Sequence, residues 1–148
     1  MDMNNYSIEN LLGFKINRAA IAFRKKLSAR FAESAIDLTP EEFAVLSRLW
    51  EEDGILQNHL VEKTLKDKTR VTRLLNGLKN KELIYKEINE NDKRKQFVFL
   101  TRKGHDLQGL IQPMVIELMR AASSEIPTAD LTITLNTLDK IFMNLNDK

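Results

Sequence analysis

The sequence predicts a mainly α-helical chain with one small β-hairpin. Three observations carry this. Apolar residues recur every three or four positions through most of the chain. Strong cap residues punctuate that pattern. Two short runs of β-forming residues, Leu83–Ile88 and Gln96–Leu100, flank a turn rich in Asn, Asp and Lys.

In chain order, Leu12, Ile16, Ala20, Phe23, Leu27 and Phe31 predict a long amphipathic helix over about 8–34. Lys15, Arg18, Arg24, Lys25 and Arg30 lie on its other face. Thr39, Pro40 and Glu42 form a helix start with a capping box, and Leu38 and Phe43 are spaced as a hydrophobic staple. Leu46, Leu49 and Trp50 continue the buried stripe, and Gly54 is expected to end this helix. A short, poorly capped helix over about Asn58–Thr64 follows, with Gln57 at its cap, anchored by Leu60 and Val61. The chain breaks at Lys66–Asp67, and Asp67 is a good N-cap for a helix whose apolar face is Val71, Leu74, Leu75 and Leu78. Gly77 inside that helix costs about 1 kcal/mol relative to Ala. The hairpin comes next, its tip formed by residues 89–95. Thr101 caps a helix that runs to about Ser124 and is expected to bend or break at Pro113. After Pro127, Leu131, Leu135, Leu138, Phe142 and Leu145 step by four and three, the spacing of a helix packed on another helix.

Composition narrows the chemistry. The 148 residues suit one domain, and 43% hydrophobic residues support a core. The absence of Cys excludes disulfides, zinc–thiolate sites and thiol chemistry. Met1–Asn10 has no basic start followed by an apolar run, and no stretch is apolar for about 18 residues. The expectation is a cytoplasmic protein with no membrane partner. No Gly-rich phosphate loop exists, Glu41–Glu42 and Glu51–Glu52 fit helix ends, and His105–Asp106 has no nucleophile beside it. No catalytic residue, cofactor or metal is expected, since His59 and His105 alone make a poor metal site.

The net charge of +2 conceals an uneven distribution. Residues 1–54 carry −2, residues 55–104 carry +7, and residues 105–148 carry −3. Concentrated positive charge suits a polyanion, because neutralising phosphates releases counterions. The order helix, helix, turn, helix, hairpin over that basic segment is the layout of a winged helix-turn-helix. The start of the second helix of such a motif lies in the major groove. Here it offers Lys68, Thr69, Arg70, Thr72, Arg73 and Asn76. The hairpin tip supplies Lys93, Arg94 and Lys95, suited to a neighbouring minor groove, with Asp92 placed to orient Arg94. Any one of these charges alone fits a solvated face; their co-occurrence favours double-stranded DNA. The alternative is a winged-helix protein–protein interaction module without DNA binding, against which Thr72, Arg73 and Arg94 argue.

The stretch Asp92-Lys93-Arg94, then Phe97 to Thr101, then Lys103-Gly104 resembles the wing of the MarR family of transcriptional regulators. Val71-Thr72-Arg73 with Leu74, Leu75 and Leu78, and the Leu38-Thr39 helix start, are similar to that family as well. Glu82 departs from it, standing where Gly is frequent, as do Val61 in place of Ala and Lys86 in place of Arg. The resemblance implies a single MarR-like domain: residues 38–102 as the DNA-binding lobe, residues 1–36 and 103–148 as dimerisation helices. It further implies a homodimer on a near-palindromic site, repression, and release by a small aromatic ligand. Candidate pocket residues are Phe14, Arg18, Trp50 and Met114.

Overall fold

A computed structural model describes residues 7–146. Met1–Tyr6 and Asp147–Lys148 lie outside the described residues, and with them most of the leader reading and both outer ends of the expected dimerisation segments. After a single 3-10 turn at Ile8–Asn10, six helices form: α1 (Leu12–Glu33), α2 (Pro40–Glu51), α3 (Gln57–Thr64), α4 (Lys68–Asn80), α5 (Arg102–Ala122) and α6 (Thr128–Leu145). Three short strands, β1 (Ile55–Leu56), β2 (Ile84–Ile88) and β3 (Gln96–Leu100), make an antiparallel sheet in the order β1-β3-β2. The chain divides into two compact units after Val115, within α5.

The helix starts follow from the caps. Thr39 Oγ1 accepts the Glu42 amide at 3.1 Å, and Glu42 Oε1 returns a bond to the Thr39 amide at 3.0 Å. Asp67 Oδ1 accepts the Arg70 amide at 2.8 Å. The core of the first unit is Val45, Leu46, Leu49, Leu60, Val71, Leu75 and Leu78, closed by Ile55, Ile84, Val98 and Leu100 from one face of the sheet. In the pairing Ile84↔Leu100, Lys86↔Val98, Ile88↔Gln96, alternate residues share a face, so this register fixes the buried set. On the opposite face Tyr85 and Phe99 stack with ring centroids 5.3 Å apart.

Three expectations are corrected. Two residues are too few to show alternation, so β1 is absent from the sequence reading; Ile55 reveals itself only by pairing with Val98. α2 stops at Glu51, and Gly54 lies beyond it at φ +76° in the turn into β1. α5 is one unbroken helix through Pro113. Pro113 removes only the donor to the Gly109 carbonyl, and both residues are exposed, so water can take that bond.

Gly77 has a packing reason. A Cβ there would stand 2.9 Å from Glu42 Oε2, so α4 comes close to α2 just where the capping carboxylate sits. Glu42 is 5% exposed and is neutralised by Lys81 Nζ at 2.7 Å.

α4 ends in a paired-carbonyl cap. The Leu83 amide donates to Leu78 O at 3.0 Å and the Glu82 amide to Lys79 O at 2.9 Å, with Glu82 at φ +61°. That left-handed position suits Gly, which is what the wing resemblance has there. Glu82→Gly is therefore expected to stabilise the protein by about 0.5–1 kcal/mol, the relief of φ strain exceeding the extra entropy of the unfolded chain. A thermal melt reads this; an unchanged or lowered midpoint contradicts it.

α1 and α6 carry unburied apolar side chains. On α1, Leu12, Ile21 and Phe23 are exposed, and only Leu27 and Phe31 are buried. α6 buries none of its residues: Leu135 is 64% exposed, Leu138 40% and Phe142 47%.

Candidate nucleic-acid interface

The interface is built on α4 and the hairpin, both in the first unit, where α4 packs against β2. The hairpin is held at its base. Thr101 Oγ1 donates to Glu82 O at 2.7 Å and accepts the Gly104 amide at 3.1 Å. Asp53 Oδ1 accepts the Leu100 amide at 2.8 Å, while its Oδ2 lies 3.0 Å from His105 Nε2. The Trp50 indole donates to Gly104 O at 2.9 Å. The base is thus bonded to α2, the turn after it and the start of α5, and the tip projects from a fixed frame.

The tip has its own internal order. The Asn91 amide donates to Asn89 Oδ1 at 2.9 Å, and the Lys95 amide to Asp92 O at 2.9 Å. Asp92 Oδ1 accepts both the Arg94 amide at 3.1 Å and Arg94 Nε at 3.2 Å. The Arg94 side chain is 92% exposed, so this bond fixes its direction without burying it. Lys93 and Lys95 beside it are exposed.

On α4, Lys68, Thr69, Arg70, Arg73 and Asn76 are exposed along the outer face. Arg73 has no ion-pair partner among the described residues, which leaves its planar fork of donors available. Thr72 is half-buried; its hydroxyl donates to Lys68 O at 2.9 Å and lies 3.5 Å from Gln57 Nε2. Its proton is spent inside the helix.

Arg70 is differently placed. Its Nε donates to Glu41 Oε2 at 2.9 Å, and its Nη2 pairs with Glu41 Oε1. This hydrogen-bonded guanidinium holds the Glu41 carboxyl below the usual carboxylate range, and the charges of Lys66 and Arg73 lower it further. From the sequence, Glu41 is explained by its place at a helix end, through capping or solvation. Nothing in the spacing of 29 residues reveals the pair. Lys86 lies on the core-side face of β2, where burial first and then nearby Lys79 lower its pKa.

Of the candidate pocket residues, only Phe14 and Arg18 are brought into contact with each other. Phe14 and Arg18 stack one turn apart on α1, the guanidinium carbon 5.6 Å from the ring centroid. Trp50 is committed to Gly104 O and to the Phe43 ring, 6.0 Å between centroids. Met114 is half-buried on α5. Among the described residues no group of three metal-ligating side chains forms, and no helix is long and apolar enough to cross a membrane.

Comparison with known proteins agrees with this architecture. Residues 29–109 match the sequence model of the family described as transcriptional regulator SarA/Rot. The transcriptional regulator HosA of Escherichia coli O157:H7 is 30% identical over 87 residues, which is 59% of this chain and 64% of HosA. The chain thus spans somewhat less than two thirds of the length of that relative. A MarR-family regulator from Listeria monocytogenes, solved with a 26mer DNA, superposes with a TM-score of 0.82 at 27% identity, covering 92% of this chain and 89% of that one. The PcaV regulator of Streptomyces coelicolor, solved with its natural ligand, gives a TM-score of 0.85 at 16% identity, over 98% of this chain and 100% of PcaV. With more than half of its length matched by the family model and its fold that of the MarR-type winged-helix proteins, the chain belongs to the SarA/Rot family of transcriptional regulators.

Proposed function

We propose that the protein binds double-stranded DNA as a homodimer, acting in the cytoplasm as a ligand-responsive repressor on a pseudo-palindromic operator. The observation that carries the reading is the pairing of an unencumbered Arg73 on the outer face of α4 with a wing tip whose Arg94 is aimed by Asp92. The DNA held by the Listeria relative supports it. In this reading α4 enters the major groove, where Arg73 meets a base edge and Thr72 offers its methyl to thymine. Lys68, Thr69 and Asn76 contact backbone or bases beside it, and Arg94 with Lys93 and Lys95 follows the adjacent minor groove. The exposed apolar faces of α1 and α6 support the dimer. Residues 1–36 and 103–148 then serve dimerisation, and 38–102 form the DNA-binding lobe. Two-fold symmetry sets the half-sites about 34 Å apart. That PcaV was solved with its natural ligand supports a ligand-responsive regulator; the small aromatic effector implied by the family resemblance would meet Phe14, Arg18, Trp50 and Met114. Such an effector releases DNA only by binding one arrangement of the dimer better than the other.

The test is a titration against duplex DNA at two salt concentrations, run with the natural chain and with Arg73→Ala. Binding through several phosphates is expected to weaken steeply, by roughly 10³-fold or more between about 50 and 200 mM salt for six contacts. Arg73→Ala is expected to cost about 1–3 kcal/mol on the duplex selected from a random pool, and less on random sequence. Equal loss on both sequences assigns Arg73 to phosphate alone. Absent or salt-insensitive binding favours the protein–protein module instead.

A further inference from the structure

Glu41 is out of place on a surface built for phosphates. It lies in the first turn of α2, its side chain is 36% exposed, and its charge interacts with those of Arg70, Lys66 and Arg73. An acid there repels a polyanion, yet it engages one edge of the Arg70 guanidinium through both carboxylate oxygens. An arginine held by two bonds loses little further freedom when it meets a rigid bidentate acceptor. Only its remaining N–H groups are free, and they point in a direction set by Glu41. A loose phosphate contact is different: Arg70 reaches an arbitrary phosphate only by leaving Glu41, and Glu41 then faces the DNA uncompensated.

We infer that Glu41 is a specificity-determining residue of the DNA interface, which tethers Arg70 as an oriented base reader and withholds it from sequence-independent phosphate binding. The inference rests on the DNA-binding reading above and goes beyond it, since it assigns to an acidic side chain a role in discrimination.

The experiment measures affinity for a random duplex and for the duplex selected by the protein from a random pool, each over a salt series. The chains compared are the natural one, Glu41→Gln, Arg70→Gln, and the double variant. Glu41→Gln keeps the shape and frees Arg70. It is expected to tighten random-duplex binding about fivefold at low salt, with a salt slope steeper by about one released ion. Binding to the selected duplex is expected to gain less, so the selected-to-random ratio narrows. In the double variant the gain on random duplex disappears, because it requires Arg70. Glu41→Ala is expected to behave as Glu41→Gln does, and circular dichroism checks that each chain is folded. An unchanged ratio overturns the inference, and so does a gain that persists without Arg70, since that is charge removal alone. Both results leave the DNA-binding reading standing when the natural chain binds with steep salt dependence. A natural chain that fails to bind overturns both.

Discussion

Gly104→Ala is expected to destabilise the protein by about 3 kcal/mol or more, a large share of the roughly 5–15 kcal/mol that holds a domain of this size together. The added Cβ would stand 2.2 Å from the Leu83 carbonyl oxygen and 3.2 Å from a Leu100 methyl group. The first of these is backbone and cannot rotate away. Nor can the two segments slide apart cheaply. Leu83 O already accepts the Thr101 amide at 3.1 Å, Gly104 O accepts the Trp50 indole, and the Gly104 amide is bonded to Thr101 Oγ1. Relief of the clash at one bond therefore strains three. The opposing gain, the better helix propensity of Ala, is only about 1 kcal/mol. Gly109→Ala is the internal control: it lies on the same helix with open space around its Cβ position, and is expected to raise stability by up to about 1 kcal/mol. Urea unfolding of both variants reads the difference. Equal midpoints would show that the wing base yields more readily than its bonding implies.

How much of this was legible in the sequence depends on the range of each signal. Caps act over three residues, so Thr39, Glu42 and Asp67 announced their helices with correct partners. The strand runs were equally clear, because Val98 and Leu100 must alternate with Phe97 and Phe99 once one face is buried. The bond from Asp92 to Arg94 spans two residues and was also readable. What escaped lies across the fold. The Arg70–Glu41 pair and the Asp53 bridge to Leu100 and His105 depend on which helices become neighbours. No local pattern encodes that. Gly77 was counted as a flaw in α4 because its reason sits on α2. Pro113 misled in the opposite sense: of the bend or break expected there, α5 shows no break, and the Gly109 carbonyl left without a donor is exposed to water. Glu82 shows the two levels in conflict, a residue of poor local fit held at φ +61° by the α4 cap and the start of β2.

The other large effect is expected from α6. Leu138→Lys combined with Phe142→Lys should convert the protein to a monomer in sedimentation, and should weaken binding to a palindromic duplex by roughly 10²–10⁴-fold. The argument begins with what the single chain leaves undone. α6 presents Leu135, Leu138, Phe142 and Leu145 along one stripe with four- and three-residue spacing, and buries none of them. An 18-residue helix with that stripe open to water is poorly stable alone, and in the proposed dimer a second copy of the chain would supply a self-complementary cover through two-fold symmetry. The DNA consequence follows from linkage between half-sites rather than from any contact of α6 with DNA. In a dimer the second recognition helix binds as an intramolecular event at high effective concentration, whereas a monomer binds each half-site independently. Affinity for an isolated half-site should accordingly be nearly the same for the natural and substituted chains. The first compact unit contains Trp50 and its bond to Gly104 but none of the substituted residues, so the tryptophan signal should be retained and should separate loss of assembly from loss of fold. A doubly substituted chain that sediments as a dimer would remove α6 from the interface; one that is monomeric yet binds the palindrome at full strength would show that the two half-sites are read without being coupled.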